Sequence, residues 1–192
     1  LICQSGGEIE IKFMCDANFL TPDSTSNFGV FGFVQGCLVY TDCQKISSIV
    51  TSSCESESHS IFAAAKASVY IRNWVAEVID NVKLPMFIFN DNEAAVLILT
   101  TRSNSGRSKH FDVKLRYVTE LFEKKQIVVA HIKRGENCAD ILTHALNRQQ
   151  FEAQLVLLYG SGVKEFLYGG SYRSGGETKF GSSLTVIGFW KY

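Results

Sequence analysis

Four acids, Asp16, Glu57, Asp91 and Asp140, stand where the chain passes from one element to the next. Asp16 closes an alternating run and Asp91 follows a short apolar run. Asp140 opens a helical stretch, and Glu57 sits on the apolar stripe of a long helical segment. In an open sheet with helical crossovers, groups at strand ends and adjoining helix starts gather at one edge. Carboxylates brought together there repel one another, so the site calls for positive charge. Hard cations such as Mg²⁺ or Mn²⁺ prefer oxygen ligands, and Mg²⁺ keeps several waters and substrate phosphate oxygens besides. Two such ions about 3.5–4 Å apart clamp a phosphodiester, one activating water and the other stabilising the leaving oxygen. The ligands must be charged, which selects Asp and Glu over Asn and Gln.

A plainer reading stands beside this one. Asp at a strand end is common as a turn residue or helix cap, and Asp91 and Asp140 taken singly fit that role. Glu57 is harder to dismiss, because an inward carboxylate is costly without a partner.

The elements that must carry these acids are legible. Residues 8–16 alternate, with Ile9, Ile11, Phe13 and Cys15 on one side and Glu8, Glu10, Lys12 and Met14 on the other, which predicts a half-buried strand. After a turn-rich stretch at 21–27, runs 28–34 and 37–40 join at Gln35-Gly36 and predict a hairpin. Ser52-Ser53 and the early Glu55 and Glu57 start a helix over about 54–80. Steps of three and four from Glu57 give Ile61, Ala64, Ser68, Ile71 and Val75, a stripe that should face the sheet. Residues 86–89 read as a strand covered on both faces. Helices are predicted at about 93–99 and 111–125, a strand at 127–132, and helical structure from 139 with a break before 150–158. A meander followed by alternating helices and strands predicts an α/β fold with a mixed sheet. Residues 1–159 then form one domain, and 160–192, rich in Gly, Ser and aromatics, an extension with no readable chemistry.

Composition narrows the field without deciding it. The 192 residues are 46% hydrophobic and 20% charged, as in a globular chain. Lys+Arg and Asp+Glu are 19 each, so net charge neither requires nor excludes a polyanionic partner. The cysteines at 3, 15, 37, 43, 54 and 138 make no CxxC pair, and no His pair has zinc spacing; buried free thiols fit better. No apolar run reaches the ~20 residues of a membrane span.

At the acids, the chain resembles the ribonuclease H domain of copia-type retrotransposon polyproteins. The family's Tyr-Ser-Asp-Ala-Asp-Trp run is matched by Met14-Cys15-Asp16-Ala17-Asn18-Phe19, and its Lys-Ser-Thr-Ser-Gly-Tyr segment by Asp23 to Gly29. Its Ser-Ser-Thr-Glu-Ala-Glu-Tyr stretch resembles Ser52 to Ser58, continuing through Arg72. Cys-Asp-Asn corresponds to Asn90-Asp91-Asn92, Arg-Thr-Lys-His-Ile-Asp-Val to Arg107 to Val113, and Leu-Ala-Asp-Ile-Phe-Thr-Lys to Cys138 to His144. The ordered set spans about residues 8–158.

The resemblance implies a ribonuclease H-like fold: a mixed five-stranded sheet, antiparallel meander then parallel strands, with helices on both faces. It implies Asp16, Glu57, Asp91 and Asp140 as catalytic residues and ligands of two Mg²⁺ or Mn²⁺ ions. It also implies an RNA–DNA hybrid as substrate, the reverse transcriptase portion of the same polyprotein as partner, and action in a cytoplasmic virus-like particle or the nucleus. Arg107, Lys109 and His110 are placed near substrate, where they would contact phosphate; a solvated loop explains them equally well. Asn18 stands in place of an acid, Cys54 of a Thr, and His144-Ala145 of Lys-Pro. Two other readings stay open: a catalytically silent, hybrid-binding scaffold, and another nuclease or transposase of the superfamily, such as an integrase.

Overall fold

A computed structural model describes residues 7–20, 25–79, 81–100 and 109–159, the side chains of 109–112 excepted. The elements are β1 (Ile11–Ala17), β2 (Asn27–Val34), β3 (Cys37–Lys45), α1 (Ser53–Ala76), β4 (Met86–Asn90), α2 (Glu93–Thr100), α3 (Lys109–Glu123) and β5 (Ile127–His131). A 3₁₀ turn (Arg134–Glu136), α4 (Asp140–Thr143) and α5 (Arg148–Tyr159) follow. The sheet runs β3-β2-β1-β4-β5. β1 pairs antiparallel with β2 and parallel with β4, β2 antiparallel with β3, and β4 parallel with β5. The expected meander and the parallel strands after it are both present. At the β2–β3 turn Gln35 and Gly36 take φ of 52° and 75°, the left-handed pair that a two-residue hairpin of type I′ requires.

β1 differs from its sequence expectation. It is buried on both faces instead of one. Ile11, Phe13 and Cys15 enter a core with Ile61, Ala64, Ile71 and Val75 of α1, and with Val118 of α3. On the opposite face Met14 packs with Phe31 and Phe33 of β2, with Cys138 and Ala139 of the turn before α4, and with Leu158 of α5. Alternation alone could not show this second cover, because it arrives from more than 120 residues along the chain, as the 124-residue separation of Met14 and Cys138 records. Lys12 also lies on the covered strand, with Nζ 2.7 Å from Glu10 Oε2.

α1 starts as expected. Ser52 caps it, its hydroxyl oxygen accepting from Glu55 N–H at 3.2 Å. The helix ends at Ala76, short of position 80, where the N–H groups of Val78 and Ile79 turn back onto the Val75 carbonyl. The stripe Glu57, Ile61, Ala64, Ser68, Ile71, Val75 is buried throughout. β3 is longer than the run 37–40, because charged and polar side chains on its exposed side hide the continuation.

Candidate metal centre

β1 delivers Asp16 at its C-terminal end, opposite Gly29 of β2. β4, parallel to β1, ends at Asn90, so Asp91 emerges at the same edge. α4 begins with Asp140. One carboxylate oxygen from each of Asp16, Asp91 and Asp140 lies within 4.8 Å of the others. Asp16 is 2% exposed and Asp140 5%. The helix-capping alternative fails for both later acids: Asn92 caps α2 by accepting from Ala95 N–H, and the residue before α4 is Ala139, with Asp140 inside the helix.

Glu57 stands beside this triad and lines the same open cleft of about 490 Å³, with Asp16, Asn18, Asp91, Arg134 and His144. Its Oε2 accepts from Asn90 Nδ2 at 2.9 Å. Asn90 and Asn137, both fully buried, each donate to the Cys15 carbonyl, at 3.1 and 3.0 Å. The peptide before Asp16 is thus tethered to β4 and to the turn before α4. Thr143 Oγ1 donates to Asp16 Oδ2, and His144 Nε2 lies 3.5 Å from the same oxygen. Asn18 holds this segment, donating to the Thr143 carbonyl at 2.8 Å while its own Oδ1 accepts from Asn27 N–H at 2.7 Å. Gly29 makes the approach of α4 possible: a Cβ there would overlap the Leu142 side chain, with Cδ1 only 2.9 Å away.

The electrostatics are those of acids short of a cation. Burial, then repulsion from Asp16, pushes Glu57 up to about 9, against the Asn90 hydrogen bond. Burial and repulsion from Asp16 and Asp91 push Asp140 up to about 7, opposed by Arg134. Asp16 is raised by burial, with the Thr143 hydrogen bond opposing. Asp140 Oδ1 is buried with no hydrogen-bond partner among the described residues. An orphaned anionic oxygen beside two further carboxylates is the donor set of a hard divalent cation, and the residues fit one.

Sequence reasoning found the four acids but not Asn90, Asn137, Thr143 or the anchoring role of Asn18. Asn90 carried a signal, as the one polar residue continuing the run 86–89 in a covered strand. Thr143 and Asn137 carried none. Arg107 lies outside the described residues; Lys109 and His110 open α3, but their side chains also lie outside them. His59, read as structural, makes contacts with Ser48 and Lys114.

No family model matches the chain. The retrovirus-related Pol polyprotein from transposon TNT 1-94 of Nicotiana tabacum is 23% identical over 155 residues, 79% of this chain and 11% of that polyprotein. The chain therefore spans about a tenth of that relative's length. Among solved structures, the N-terminal RNase H domain of Rv2228c from Mycobacterium tuberculosis superposes with TM-score 0.53 at 12% identity, covering 77% of this chain and 96% of that one. LC11-RNase H1, in its complex with an RNA/DNA hybrid, gives TM-score 0.50 at 15% identity over 70% of this chain and 93% of its own. In fold this chain is ribonuclease H-like, and in sequence it resembles the Pol polyprotein of a retrotransposon.

Proposed function

We propose that this chain is a divalent-metal-dependent endonuclease that hydrolyses the RNA strand of RNA–DNA hybrids, within a copia-type retrotransposon polyprotein beside its reverse transcriptase. The observation that carries the reading is the convergence of Asp16, Asp91 and Asp140 within 4.8 Å. The chain brings them from three distant elements and buries two of them, Asp140 with one carboxylate oxygen unpartnered among the described residues. The fold supports it, since a structural neighbour was solved with an RNA/DNA hybrid bound.

Asp16, Asp91 and Asp140 would hold the metal, with Glu57 at the adjoining side of the cleft as ligand to a second ion. When bound, Mg²⁺ or Mn²⁺ supplies Lewis acidity at the scissile phosphate and lowers the pKa of water. The protein's own task is to hold the carboxylates in place. Thr143 fixes Asp16 Oδ2, and Asn90 fixes Glu57 and the backbone before Asp16. Fixed ligands lose no orientational freedom on binding.

The test is cleavage of a labelled RNA–DNA hybrid with Mg²⁺, with Mn²⁺ and with chelator. Cutting of the RNA strand that depends on metal supports the enzyme. A folded chain that binds the hybrid and never cuts it would make it a binding scaffold, and cutting of plain DNA duplex would point to an integrase-like relative.

A further inference from the structure

One permanent cation stands in the acidic cleft. Arg134 opens the turn after β5, and its side chain is 68% exposed. Its backbone is held: Asn137 N–H donates to the Arg134 carbonyl at 3.1 Å, and the buried Asn137 amide donates to the Cys15 carbonyl. The turn is thereby tied to the strand that carries Asp16. The side chain meets Asp140 at one point, Nε to Oδ2, 3.7 Å apart. This is longer than a charge-assisted hydrogen bond and is not the two-point fork that makes an Arg–carboxylate pair strong. The carboxylate of the pair is buried and the guanidinium is not, so most of the Arg134 side chain stays in solvent. Asp16, Glu57, Asp91 and Glu93 line the cleft, and Arg134 is its only permanent cation among the described residues.

We propose that Arg134 is a positioning residue that grips a backbone phosphate of the nucleic-acid strand lying in the cleft, next to the phosphodiester offered to the acids. The inference rests on the reading of the cleft as a site for a nucleic-acid strand. A polyanion entering a cleft lined by four acids is repelled by it. A planar guanidinium offers paired N–H groups to phosphate oxygens at the cleft wall. Asp140 and Arg134 leave one short segment, so the grip and the carboxylate keep a fixed spacing along the strand. Such a contact sets register without reading sequence.

The test measures hybrid binding by fluorescence anisotropy across a salt series, with Ca²⁺ in place of Mg²⁺ so that binding is read without turnover. Wild type, Arg134→Gln, Arg134→Lys and Lys124→Gln are compared, and cleavage by wild type is followed separately in Mg²⁺. Lys124, paired with Glu120 on α3, controls for loss of charge alone. Arg134→Gln is expected to weaken binding roughly tenfold and to flatten the log–log salt slope by about 0.7–0.9, one phosphate's share. Arg134→Lys keeps the slope and recovers part of the affinity, and Lys124→Gln changes neither. An unaltered slope in Arg134→Gln overturns the proposal, even if wild type cuts the hybrid. A flattened slope with a wild type that binds but does not cut upholds Arg134 and removes the nuclease reading instead.

Discussion

Asn90 Nδ2 donates to Glu57 Oε2 at 2.9 Å and to the Cys15 carbonyl at 3.1 Å, so one buried amide fixes both a carboxylate and the strand end that carries Asp16. Replacing Asn90 by Leu keeps the volume and removes both donors. The Cys15 carbonyl keeps the Asn137 amide, so the main loss is at buried Glu57, where a missing donor costs about 1–3 kcal/mol. Asn90→Leu is therefore expected to lower the melting temperature and to raise the Mg²⁺ concentration needed for half-maximal cleavage. A variant with wild-type metal dependence would show that Asn90 does not position the site.

Asp16→Asn retains size and polarity while removing charge from the triad. The fold should persist, because an amide oxygen can still accept from Thr143. Cleavage should fall by more than the roughly 10–100-fold that loss of a partner behind a metal ligand costs. Circular dichroism and cleavage of a labelled hybrid check both halves, and wild-type activity would sink the assignment.

Glu57 and Asp140 titrate near 9 and 7 in the folded chain, above their unfolded values of about 4.3 and 3.9. Raised carboxyls favour the folded state while protonated. That contribution is complete below the unfolded values and is lost as pH rises through about 7 and then about 9. With chelator present, the melting temperature should fall as pH climbs through this window. Mn²⁺ should reverse the trend, since the deprotonated carboxylates then become its ligands. Chelated protein whose melting temperature rises steadily over the same range would contradict the burial of these acids.

Gly29→Ala tests the seating of α4. The new Cβ would overlap Leu142, and overpacking of this kind costs about 1–3 kcal/mol. Because Asp140 and Thr143 sit on the displaced helix, metal affinity measured by calorimetry should drop together with stability. A stability loss with unchanged metal affinity would separate the helix from the site.

Much of this arrangement was legible in the sequence, for identifiable reasons. Glu57 was found because a carboxylate on an apolar stripe contradicts its surroundings, and the stripe itself is the buried face of α1. The antiparallel meander and its continuation into a mixed sheet followed from the hairpin turn and the alternation of helices and strands, whereas the strand order came with the structure. The two-faced burial of β1 was hidden, because Cys138, Ala139 and Leu158 cover it from the far end of the chain. Asn137 and Thr143 were equally hidden: an Asn in a turn and a Thr in a short helix look ordinary until the fold sets them beside Cys15 and Asp16. Asn18 looked like a mere departure from the family pattern, yet its amide does what a carboxylate could not, donating to the Thr143 carbonyl.

The separation between Asp16 and Thr143, 127 residues, has a consequence for when the protein can act. β1 leaves the ribosome ahead of its partner strands, but Asp140 and the hydroxyl that orients Asp16 follow more than 120 residues later. A nascent chain, or one truncated before α4, lacks Asp140 and Thr143 and with them part of the candidate centre. Synthesis itself would thus act as a safety catch, withholding the proposed metal centre until the polypeptide beyond β5 has docked.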